Sequence, residues 1–186
     1  MPLVECVLIK GYNNTTRKIL AERITDAACS AIGAAPEFVT VTISEVDSDN
    51  YMRGRTQRTP SSAPMQPDDI VRAFLTAMEE RNLGEAQSWL ADSFTMTFPG
   101  GNEFTQLSKL VDWAKSRYQN VSKTFDGFEV SFHGLDATVY CRGTLYGVWC
   151  DGSAFNGIRF IDRFTITDGK ITSQQVWNDL AEGKAS

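Results

Sequence analysis

The sequence predicts an α+β fold in two parts, a β-α-β unit followed by an α+β cone with a curved antiparallel sheet. Three observations carry this prediction. Residues 1–46 read as strand, helix and strand; residues 56–67 are polar and hold three of the six prolines; and the remainder sets helices ahead of four strands with short glycine-containing links. A length of 186 residues admits one large domain or two small ones. The proline-rich stretch favours two, at 1–58 and 68–186, with a linker at 59–67.

Residues 2–9 form an apolar strand that starts at Pro2, and Lys10-Gly11-Tyr12-Asn13-Asn14 turns the chain. Asn13 or Asn14 caps a helix in which Ile19, Leu20, Ile24, Ala27, Ala28 and Ile32 recur at helical spacing, and Gly33 stops it. Pro36 then opens a strand over 38–46 with apolar and polar residues alternating. Beyond the linker, Asp68-Asp69 cap a helix through Ile70, Val71, Phe74, Leu75 and Met78, which Asn82-Leu83-Gly84 breaks. A short helix over 85–91 leads to a strand at 94–98, the loop Pro99-Gly100-Gly101, and a helix through Leu107, Leu110, Trp113 and Tyr118. Strands at about 123–133, 137–150, 154–167 and 170–178 follow as consecutive hairpins.

Composition excludes several roles. Residues 1–60 carry seven basic and seven acidic side chains and residues 61–186 carry eleven and sixteen, so the net −5 lies wholly in the second part and no basic face for nucleic acid is expected. Cys6, Cys29, Cys141 and Cys150 lack the spacing of a zinc site, and neither a metal nor a cofactor is expected. No apolar span of about 20 residues and no signal peptide is apparent, so the expected setting is cytoplasmic and off the membrane.

Met1-Pro2 is the first candidate for chemistry. A small second residue allows removal of the methionine, which leaves proline as a free secondary amine. An α-amino group titrates near ~7.7–8.0, and apolar walls or neighbouring cations lower it toward a general base poised at neutral pH.

The first 55 or so residues resemble the 4-oxalocrotonate tautomerase family. The resemblance rests on Pro2, Lys10-Gly11, Ile24-Thr25-Asp26-Ala27, the run Val39-Thr40-Val41-Thr42-Ile43-Ser44-Glu45-Val46, and Tyr51. It implies that Pro2 shuttles a proton on an enol or dienol acid while two arginines hold the carboxylate and polarise the carbonyl. Tyr12 and Thr40 stand where those arginines belong. Tyr12, Tyr51 and Arg53 are therefore the expected substrate contacts, with Arg17, Arg55 and Arg58 as further sources of charge; the alternative is that the later arginines form a solvated hinge.

Residues 67–182 resemble the SnoaL-like branch of the nuclear-transport-factor-2-like superfamily. The matching segments are Asn82-Leu83, Leu90-Ala91-Asp92-Ser93-Phe94, Phe98-Pro99-Gly100-Gly101, Ile161-Asp162-Arg163-Phe164, Asp168-Gly169-Lys170-Ile171 and Trp177-Asn178-Asp179. The resemblance implies a cone fold and leaves function open, since members include polyketide cyclases, ketosteroid isomerase, dehydratases, epoxide hydrolases and inert binding domains. Against ketosteroid isomerase, Phe98 holds the base position and Phe74 the tyrosine position, and only Asp162 matches. Alternation through Ile158, Phe160, Asp162, Phe164 and Ile166 sets this carboxyl on an apolar face, where ionisation is costly. It acts there as a pocket acid or base, or else serves structure, bonded to a neighbouring strand or paired with Arg142.

The expected function is proton transfer on a small enol/keto or polyketide-like carbonyl compound, with Pro2 and Asp162 as catalytic candidates and Phe74, Phe98 and Trp177 lining the cone's pocket. One alternative makes the cone a cyclase or dehydratase with the first unit as its oligomerisation module. Another makes both parts non-catalytic. A β-α-β unit of ~60 residues cannot bury an adequate core alone, so a homo-oligomer is expected.

Overall fold

Asn13 accepts a hydrogen bond from the Thr16 backbone N–H at 2.8 Å and so starts α1 (Asn14–Ile32), and Gly33 ends it at φ 69° with its N–H on the Cys29 carbonyl at 2.9 Å. The computed structural model describes residues 1–184, which divide into a unit Met1–Pro64 and a second unit beginning at Met65. In the first, β1 (Leu3–Ile9) pairs in parallel with β2 (Thr40–Val46), Leu3 opposite Thr40 and Ile9 opposite Val46. Pro2 accepts from the Thr40 N–H at 3.0 Å immediately ahead of this ladder.

Strand alternation divides this small sheet into two faces. Val4, Cys6, Val41 and Ile43 are half-buried, and Glu45 on the same face pairs with Arg17 of α1. The other face is open, with Leu3 and Val7 each 59% exposed. No described side chain of this unit is fully buried. A hairpin of β3 (Met52–Arg53) and β4 (Thr56–Gln57) follows, so the proline-rich stretch begins with a strand residue pair.

The second unit runs α2 (Pro67–Glu79), α3 (Leu83–Ser88), β5 (Leu90–Phe98), β6 (Asn102–Phe104), α4 (Leu107–Ala114), β7 (Tyr118–His133), β8 (Asp136–Trp149), β9 (Ala154–Thr167), β10 (Lys170–Asn178) and α5 (Leu180–Lys184). One six-stranded sheet has the order β6-β5-β10-β9-β8-β7. Its pairings are antiparallel except for β5 with β10, which is parallel.

Several boundaries differ from the sequence expectation. Gln66 is the N-cap of α2, and Asp68 and Asp69 lie in its first turn, where their charge complements the helix dipole. Asn82 does more than break a helix, because its side chain accepts from the Glu85 N–H at 3.3 Å and donates to the Glu85 carboxylate at 3.0 Å, a reciprocal cap for α3. The strand expected at Phe94 starts at Leu90, which pairs with Ile171, and Tyr118 opens β7 instead of closing α4.

The core lies between the helices and the sheet. Phe74 of α2 meets Phe94 and Phe164 edge-on at 6.3 and 6.0 Å between ring centres. β7 and β8 approach so closely that a Cβ on Gly143 would lie 1.9 Å from the Thr124 carbonyl oxygen. Register shifts between Phe125 and Gly127 and between Leu145 and Gly147 flank that approach and curve the sheet.

Candidate active site in the cone

Inward-facing residues of β7, β9 and β10 and the apolar sides of α2 and α4 enclose a cavity of about 170 Å³. Asp162 reaches it because Phe160, Asp162, Phe164 and Ile166 alternate onto one buried face of β9, and its side chain is 0% exposed. Its Oδ2 accepts from Lys123 Nζ, and Gln174 Nε2 lies 3.4 Å from the same oxygen. Oδ1 is buried and has no hydrogen-bond partner among the described residues. Lys123 also sits 4.4 Å from the centre of the Phe160 ring. Arg142, the partner weighed for Asp162 from sequence, instead faces Glu129 at 3.6 Å.

Phe74 and Phe98 line the cavity, and Phe98 packs edge-on against Trp113 at 5.5 Å and Phe104 at 6.1 Å. Trp177 does not line it. The register shift between Ile171 and Ser173 reverses the alternation of β10, so Gln174 and Val176 turn inward and Trp177 lies on the opposite face, 49% exposed. Lys123 and Gln174 were missed from sequence. Both leave a signal, since Lys123 alternates with Val121 and Phe125, and Gln174 shares the parity of Val176.

Cys141 is the residue of β8 opposite Asp162. Burial, and secondarily the Asp162 carboxylate, push its thiol up to about 12, so it stays protonated and is no nucleophile. An unfolded thiol titrates near 9.0. Above that pH the unfolded chain releases a proton that the folded chain keeps, so the contribution to stability is whole below about 9 and is lost as pH rises toward 12. Urea denaturation from pH 8 to 10.5 is therefore expected to show stability falling more steeply for the wild type than for Cys141→Ala. Equal slopes would refute this assignment.

In the first unit Pro2 is half-buried, Tyr12 shares a hydrogen bond with Ser61 Oγ at 3.2 Å, Tyr51 is half-buried and Arg53 is exposed on β3. Arg17 is engaged by Glu45 and Asn14 and does not replace the missing arginines.

A model of the SnoaL-like domain family matches residues 71–174, and one of the tautomerase enzyme family matches residues 2–56. A probable tautomerase of Halalkalibacterium halodurans is 33% identical over 51 residues, which are 27% of this chain and 84% of that protein. Among solved structures, an NTF2-like protein of unknown function from Burkholderia pseudomallei is 17% identical with a TM-score of 0.53, over 62% of this chain and 92% of its own. TerC, crystallised with polyporic acid, is 16% identical with a TM-score of 0.53, over 64% of this chain and 98% of its own. No helix among the described residues is long and apolar enough to cross a membrane.

Proposed function

Because the chain belongs to the SnoaL-like domain family over its larger part and to the tautomerase family over residues 2–56, we propose that it transfers protons on a small carbonyl compound and that the cone carries the chemistry. The observation behind this reading is the fully buried Asp162, whose Oδ1 is unpartnered among the described residues while Oδ2 holds Lys123 on the wall of an aromatic cavity. Asp162 Oδ1 takes a proton from the carbon next to the carbonyl. The C–H electron pair becomes the C=C bond of the enolate, and the carbonyl π pair moves to oxygen, where the Lys123 ammonium stabilises the charge. Return of the proton to a second carbon gives an isomer; attack of the enolate carbon on another carbonyl of the same molecule closes a ring. The open face of β1 and β2 suits the first unit to self-assembly.

A second reading keeps the chemistry at Pro2, and it rests on the position of that residue, half-buried and fixed to β2 through its carbonyl. Exchange of the C3 protons of phenylpyruvate in D₂O, followed by NMR, separates the two. Under the cone reading Asp162→Asn loses exchange and Pro2→Ala retains it. The opposite pattern transfers the chemistry to Pro2, where Pro2→Ala is expected to slow turnover by about 10²-fold or more and a mass spectrum must show Met1 removed.

A further inference from the structure

We propose that the substrate of this cavity is an organic anion, whose carboxylate binds among Arg81, Arg117 and Tyr118 while its enolisable carbonyl meets Asp162 and Lys123. This rests on Asp162 acting as the base, and it adds the chemical class of the ligand.

All three residues line the cavity. Arg81 directly follows the C-cap of α2 and holds a left-handed backbone, φ 59°, with its N–H toward the Met78 carbonyl at 3.3 Å. Glycine is the usual occupant of such a position because it bears no Cβ penalty. An arginine there keeps a strained conformation and gains a guanidinium on the cavity wall. Arg117 comes from the turn between α4 and β7, and its guanidinium lies 4.5 Å from the centre of the Trp113 ring. A guanidinium held over a ring face can still turn its N–H edge to a carboxylate, as bidentate binding requires.

Tyr118 is the next residue. All three line the same cavity; burial raises the Tyr118 phenol, and Arg81 and then Arg117 act in the opposite direction. Among the described residues neither arginine has an ion-pair partner. Glu79, the carboxylate besides Asp162 on the cavity wall, pairs with neither. Two arginines and a phenol thus share the cavity wall, with no acceptor for either guanidinium among the described residues, whereas the cavity's remaining cation, Lys123, is matched by Asp162.

Tyr118 and Lys123 are five residues apart on β7, roughly 15 Å of strand. The anion and the reacting carbon therefore belong to different ends of the ligand, with the aromatic walls gripping what joins them.

Isothermal titration calorimetry with 4′-acetylbiphenyl-4-carboxylate and its methyl ester provides the test, because the pair differ in the distal charge, share the enolisable ketone and set the two a biphenyl apart. The acid is expected to bind at least tenfold more tightly, the preference to shrink as salt is raised, and the ratio to collapse to about one in folded Arg81→Gln/Arg117→Gln. Asp162→Asn should keep the preference and lose deuterium exchange at the acetyl group. If exchange survives in Asp162→Asn while the preference still depends on the arginines, the anion site stands and the base assignment falls. Equal affinity for acid and ester, a preference that survives the double substitution, or no binding of either probe overturns the proposal.

Discussion

Replacing Asp162 with Asn is expected to slow proton exchange by about 10²–10⁴-fold, the usual reach of a positioned general base. The amide matches the carboxyl in size and cannot accept the proton. It also leaves the Lys123 ammonium facing a neutral group. Breaking a buried pair from one side costs ~3–5 kcal/mol, and the 23% exposure of the Lys123 side chain lowers that, since water still reaches it. Lost stability and lost chemistry thus arise together in the single variant. Asp162→Asn/Lys123→Met separates them, because it removes the orphaned charge and should recover much of the melting temperature without recovering exchange. Activity returning with stability would mean that Asp162 serves only the fold.

The largest structural effect is expected at Gly143. A methyl group there would meet the Thr124 carbonyl oxygen at 1.9 Å, its carbon at 2.9 Å and Phe125 Cα at 3.0 Å, all backbone atoms that no rotamer change relieves. Gly143→Ala should cost the cone about 3 kcal/mol or more, read as a lower urea midpoint and a melting temperature down by ~10 °C or more. Gly134→Ala is the control. Nothing lies within 4 Å of its added carbon, and only the left-handed φ of 63° is at stake, a cost of about 1 kcal/mol. Similar losses at both positions would show that β7 and β8 have room to separate.

The parts of this architecture legible in the sequence are those that depend on local periodicity. Asp162 could be singled out because a single charged residue interrupts an apolar alternation within its own strand. Its partners depend on neighbouring strands, as Lys123 lies two strands away on β7 and Gln174 is set by the register of β10. Trp177 failed for a related reason. Counting by twos from Ile171 turns it inward, and one extra residue near Ser173 reverses every position that follows. Helix ends were also hard to read, since Leu90 and Ala91 continue the apolar spacing of α3 and join β5 only because Ile171 pairs with Leu90. Arg81 and Arg117 resemble ordinary solvated charges until the fold sets both on the cavity wall with Tyr118.

The place of β10 in the sheet sets an order in time. It fills the gap between β5 and β9, although it is the last of this sheet's strands to be synthesised. β5 is complete at Phe98 and its inner neighbour only at Asn178, so at synthesis rates of ~5–20 residues per second β5 waits roughly 4 to 16 s with an unpaired edge. During that interval β7, β8 and β9 can form hairpins with their sequence neighbours, while β5 and β6 remain a detached pair. The cone therefore closes late and in one step, and a nascent chain that stalls before residue 170 presents two half-sheets to whatever chaperone or second chain is near.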